Sequence, residues 1–130
     1  MLQIFTSPLP ALGVGGILAP DDWTAFLDAV SGELAGSPVI VDVTSSDRPR
    51  AVVARGVLHV LRYDPRSDVI EVAVRTPTPD RISVVRHRVS RPTCVASDSA
   101  KGLLPSLVLI EDGDGDMTRV RLLPSPAFSG

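Results

Sequence analysis

Residues 57–89 run VLHVLRYDPRSDVIEVAVRTPTPDRISVVRHRV, and the fold turns on how this stretch is read. Three runs rich in Val and Ile are separated by Asp64-Pro65-Arg66-Ser67 and by a Thr-Pro-Thr-Pro-Asp-Arg segment. β-Branched runs bounded by Pro, Asp and Ser read as strands and turns. Connections this short join antiparallel neighbours. If Tyr63 and Asp68 close the first loop and Arg75 stands opposite Ile82, then Leu61 faces Ile70 and Glu71 faces Arg86. Strand side chains alternate between faces. One face then carries Val57, His59, Leu61, Ile70, Val72, Val74, Val85, His87 and Val89. The other carries Leu58, Val60, Arg62, Val69, Glu71, Ala73, Val84, Arg86 and Arg88. The first face has no formal charge and belongs in a core; the second is half apolar and half charged.

Outward from this meander, further strands are expected over residues 39–44, 51–63, 68–75, 82–89, 93–96, 107–111 and 118–123, with no helical pattern between them. One helix precedes them, over residues 18–36. Trp23, Phe26, Leu27, Val30 and Leu34 recur at spacings of three and four and form one apolar stripe. Pro20 suits the first helical position, Leu18 and Trp23 are placed to form a hydrophobic staple, and Gly36-Ser37-Pro38 ends the element. The expected fold is α+β: one N-terminal helix packed on a twisted, mostly antiparallel sheet of about five to seven strands. Trp23, Phe26, Val30, Ile70 and Val72 should share its core. Residues 1–17 read as an apolar, non-helical arm, residues 18–123 as the single domain and residues 124–130 as a fraying tail.

The chain has 130 residues, 44% hydrophobic and 22% charged, a composition ordinary for a globular domain and wrong for a disordered one. A chain of this length buries about two-thirds of its unfolded surface, so neither a metal nor a disulfide is required for folding. Its formal net charge of −2 argues against a dedicated nucleic-acid binder. Twelve arginines and one lysine oppose twelve aspartates and three glutamates, a usage typical of GC-rich bacterial genomes. The single cysteine, Cys94, makes no internal disulfide. No apolar run reaches the ~20 residues needed to span a bilayer. The N-terminal stretch has no basic start, so it does not read as a secretory signal. The expected location is cytoplasmic, with no membrane association.

Four stretches carry a resemblance: Trp23 through Phe26; Tyr63-Asp64-Pro65-Arg66-Ser67-Asp68-Val69-Ile70-Glu71-Val72; His87-Arg88-Val89-Ser90-Arg91-Pro92; and Ile110-Glu111-Asp112-Gly113-Asp114-Gly115. Together they resemble a small bacterial, largely actinobacterial protein family known only as a domain of unknown function, over residues 18–123. The arm and the Thr76-Pro77-Thr78-Pro79 loop depart from that pattern. The resemblance implies no activity, substrate or catalytic residue.

No constellation of reactive residues stands out. Asp112-Gly113-Asp114-Gly115-Asp116 alternates like a calcium loop. However, an EF-hand needs Gly at its sixth position and Glu at its twelfth, where Met117 and Leu123 stand. It reads as a hairpin turn. His59 and His87 share the core face in the register above but lie roughly 12 Å apart by strand spacing, too far for one metal. Chain order gives no evidence that Cys94 pairs with a histidine, although His87 is only seven residues away, and it reads as a buried structural residue. No phosphate loop, nucleophile elbow or aromatic platform is present. Catalytic residues, cofactors and metals are therefore not expected. The expected function is a non-enzymatic interaction or regulatory module. Its candidate interaction face is Leu58, Val60, Arg62, Arg86 and Arg88, where an apolar centre and arginine forks suit a protein partner or a second copy of the chain. The alternative is a small-molecule binder or minor enzyme with a pocket between helix and sheet, using His59, His87 or Cys94.

Overall fold

The computed structural model describes residues 16–99 and 104–123. Strand β1 (Gly16–Leu18) leads through a 3-10 turn (Pro20–Asp22) into α1 (Trp23–Leu34). Seven strands follow: β2 (Pro38–Ser45), β3 (Arg48–Asp64), β4 (Val69–Pro77), β5 (Ile82–Ser90), β6 (Pro92–Ser97), β7 (Leu107–Asp112) and β8 (Met117–Leu122). All eight strands form one antiparallel sheet in the order β1-β6-β7-β8-β2-β3-β4-β5. The seven strands read from sequence are all present, within three residues at each boundary. The eighth is β1, so the sheet exceeds the five to seven strands expected. Its residues include Gly16 and Ile17, which the sequence assigned to the arm. The rest of the arm and the tail lie outside the described residues.

Strands β5 and β6 are far apart in the sheet order yet are separated along the chain by Arg91 alone. The sheet must therefore curl until its two ends approach. Arg91 turns this corner in the left-handed region, at φ 52°, which is uncommon for a residue with a Cβ. Its amide donates to the Asp68 carbonyl at 2.9 Å, and its carbonyl accepts from the Gly113 amide at 3.1 Å. The corner is thus tied to the β3–β4 turn and the β7–β8 turn. Three of the four stretches that carry the family resemblance meet here, so those motifs are the closure of the curled sheet.

Curling places the apolar row of every long strand on one interior. Val39 and Val41 of β2, Leu58 and Leu61 of β3, and Ile70, Val72 and Val74 of β4 form a single core with Val89, Val95, Val108, Ile110, Val120 and Leu122. Helix α1 adds Trp23, Leu27 and Val30 to it, while Phe26 is only partly buried at its margin. The Trp23 ring meets Tyr63 edge-on at 5.3 Å, and its Nε1 donates to the Leu18 carbonyl at 3.3 Å. Leu18 therefore meets Trp23 from a strand and not from within a helix. The helix is shorter than the expected 18–36, because β1 and the 3-10 turn take its first residues. It stops where expected: Gly36 has φ +89°, and its amide crosses to the Leu58 carbonyl at 2.8 Å.

The β3–β4–β5 meander has the expected antiparallel pairing and most of the expected faces but a different register. Leu61 pairs with Val72 and not Ile70, and Glu71 pairs with Arg88 and not Arg86. Each strand has slid two residues along its neighbour. A two-residue slide preserves which face each side chain occupies. The faces fail only at a bulge between Leu58 and Val60. One extra residue there reverses the alternation, so Leu58 enters the core and His59 leaves it. The Leu61 amide beyond the bulge is met by the Ser31 hydroxyl of α1 at 3.2 Å.

Candidate interaction site

The outer face of the meander is organised around one carboxylate. Glu71 sits on the central strand β4, and its side chain is 7% exposed. Arg62 of β3 and Arg88 of β5 stand directly opposite it, and Arg86 lies diagonally. Arg62 Nη2 reaches Oε1 at 3.1 Å, Arg86 Nη1 reaches Oε2 at 3.0 Å, and Arg88 Nη2 lies 3.8 Å from Oε2. Burial works against the Glu71 charge. The Arg86 hydrogen bond and the fields of Arg62, Arg86 and Arg88 outweigh it, so the carboxyl lies below its ordinary range. The arginine side chains themselves are 60%, 49% and 66% exposed. Three guanidiniums thus share one carboxylate, leaving a local surplus of two positive charges (3 − 1). Val60 and Val69 are half-buried on the same face, and Val84 is exposed.

Four of the five residues of the candidate face therefore lie together on it: Val60, Arg62, Arg86 and Arg88. Leu58 does not. It is buried in the core, because the bulge turns it inward. Glu71, read from sequence as a simple cross-strand partner of Arg86, is the hub that positions all three arginines.

A second node of the same kind joins β2 and β8. Asp42 of β2 is fully buried, and Arg119 stands opposite it on β8. Arg119 Nε donates to Oδ1 at 2.9 Å, and Arg121 Nη2 lies 3.5 Å from Oδ2. Arg121 Nε is buried and has no partner. The sequence signal was a lone aspartate in the apolar run Val39-Ile40-Val41-Asp42-Val43, together with the alternation of Arg119 and Arg121. Charged groups surrounded by apolar strand residues need opposite charge across the ladder.

The other sequence candidates are dispersed. His59 is on the outer side, its Nδ1 3.4 Å from Arg75 Nη2. His87 faces the interior, its Nε2 3.1 Å from the Thr118 hydroxyl of β8. The two histidines therefore occupy opposite sides of the sheet and do not share the core face. Burial pushes the His87 ring below its usual value, against the opposing field of Asp112. Cys94 pairs with Glu111 on β7, and burial together with that carboxylate pushes its thiol up. The Asp112 loop is a hairpin turn: Asp112 Oδ1 accepts the amides of Asp114 at 2.8 Å and Asp116 at 3.0 Å, and Gly115 has φ +86°. Among the described residues no group of three or more His, Cys, Asp or Glu could hold a metal ion, and no helix is long and apolar enough to cross a membrane.

Fold and site together define a small curled-sheet domain with one helix and an outer face of carboxylate-anchored arginines. Within that class, the chain belongs to a family of unknown function, DUF5335, whose model matches residues 17–127. No curated protein and no solved structure matches the chain.

Proposed function

We propose that this protein is a non-enzymatic interaction module whose Arg62–Arg86–Arg88 face holds an acidic segment of a partner protein. The observation that carries this reading is the sharing of one buried carboxylate by three half-exposed guanidiniums. Glu71 neutralises only one of the three. Each guanidinium has five N–H donors in a fixed fork, so most remain free for a second acceptor. Tethering to Glu71 restrains the long side chains before a partner arrives, which lowers the ordering cost of binding. Arginine beside apolar Val60, Val69 and Val84 is the chemistry of interface centres. The separation of His59 on the outer side, His87 in the interior and Cys94 on β6, with the cysteine held as a thiol, supports a binding role over a catalytic one.

The test is a titration of a fluorescein-labelled glutamate polymer of about 20 residues, read by anisotropy at about 50 and 300 mM salt. Binding should be present at low salt and weaker at high salt. It should be lost in the Arg62→Gln/Arg88→Gln double variant and kept in Arg48→Gln/Arg50→Gln, which lies elsewhere. No binding, or binding that survives loss of Arg62 and Arg88, overturns the proposal.

A further inference from the structure

Strands β1 and β5 end the sheet. Among the described residues β6 also lacks a strand on one side before Val95, and β3 lacks one on either side of Val57 in turn; beyond Val57 the gap is met by Gly36, Ser37 and the Ser31 hydroxyl. Strand β1 is three residues long. The first half of β3, before its ladder with β4 begins at Val57, contains Pro49, and its pairing with β2 is broken by two register shifts. Strand β5 is different. It runs nine residues, contains no proline and pairs with β4 without a single irregularity. Long, flat, proline-free edges are templates for another strand, and proteins ordinarily blunt them. The blunting groups on β5 are Arg86 and Arg88, beside exposed Ile82 and Val84.

Those arginines decide what the edge accepts. Full-length antiparallel pairing of β5 with a second copy would centre on residue 86 and set Arg86 against its own image. Like charges directly opposite are destabilising. The rest of this chain does not supply the complement either: residues 1–15, 100–103 and 124–130 contain no aspartate or glutamate. The charge demands a different molecule. Arg86 and Arg88 are two residues apart on one face, which is the repeat of acidic side chains at alternate positions of an extended strand.

Building on the proposed acidic-partner reading, we infer that β5 is a docking edge, on which an extended acidic segment of a partner protein adds as a ninth strand with its outward carboxylates on Arg86 and Arg88. Main-chain hydrogen bonds supply the affinity and the arginines supply the selection, as in strand addition generally. Alternate residues of the segment turn inward beside Val85, His87 and Val89, so they should be apolar.

The probe is the acetylated, amidated octapeptide (Glu-Val)4, with two analogues N-methylated either at every Glu or at every Val nitrogen. In a strand only one of these two sets faces β5. One analogue should therefore bind at least tenfold more weakly and the other should bind nearly as the parent does. Hydrogen exchange of the β5 amides should slow on adding the parent peptide. If both analogues bind alike and β5 exchange is unchanged while the glutamate polymer still needs Arg62 and Arg88, the edge inference fails and the interaction face stands. If neither the octapeptide nor the polymer depends on the arginines, both fail.

Discussion

Gly56 is the position where a single added methyl group tests the architecture most directly. Strand β3 serves two neighbours: its first part pairs with β2 and its last part with β4, and the two ladders overlap at Val57. At Gly56 the chain passes so close to β4 that a Cβ would lie 2.0 Å from the Arg75 carbonyl oxygen and 2.9 Å from its carbon. Ordinary contact begins near 3.4 Å, so the strands would have to separate by about 1.4 Å. The obstructing atoms are backbone and cannot rotate away. Overpacking strain of about 1–3 kcal/mol, plus about two ladder bonds near 1 kcal/mol each, gives a loss of about 3–5 kcal/mol for Gly56→Ala. The stiffer unfolded chain returns about 0.4–1 kcal/mol, leaving about 3 kcal/mol. An unfolding entropy of about 0.27 kcal/mol/K for a chain of this size converts that to a fall in melting temperature of about 11 °C. Gly32→Ala is the control: the site is on α1 with nothing within 4 Å, so the change should stabilise by up to about 1 kcal/mol. Paired thermal melts with a urea titration decide. A Gly56→Ala protein melting within about 2 °C of the parent would refute the close approach of β3 to β4.

Other perturbations read other parts of the fold. Leu58→Ala should cost about 2–5 kcal/mol in a denaturant titration, whereas Val60→Ala, on the outer face, should cost about 1 kcal/mol or less; equal losses would place the bulge elsewhere. Asp42→Ala leaves Arg119 and Arg121 partly buried without a counter-charge and should lose about 3 kcal/mol, with no effect on peptide binding at the Glu71 face. The His87 ring is pushed below 6.5, so between that value and its folded-state value the unfolded chain binds more protons than the folded one. Stability therefore falls as pH drops below about 6.5, and His87→Gln should flatten that slope in melts across the range. Glu71 lies on the other side of its titration: its carboxyl is held below 4.5, so its stabilisation is present above that value and is lost as pH falls through the folded-state value.

Much of this protein was determined by the order of its side chains alone. Seven strands, one helix and the turns between them follow from period-two and period-four patterns and from Pro, Gly and Asp, because those preferences act within a few residues. The faces of the meander survive even though the register was displaced, since the displacement at each hairpin is two residues and parity is kept. What tertiary structure decided lies where distant strands meet. The bulge that sends Leu58 inward and His59 outward lies where β3 passes from β2 to β4 as its neighbour, a change that the local pattern does not mark. Strand β1, three residues long, becomes a strand only because the β6 edge is there to pair with it. Arg91 reads as an ordinary loop residue until the closing sheet fixes its carbonyl on Gly113 and its amide on Asp68. The carboxylate nodes divide the same way. Glu71 stands on an arginine-rich face that alternation alone could place, but the joining of Asp42 to Arg119, 77 residues away, depends on β2 and β8 becoming neighbours, and chain topology, not residue preference, brings them together.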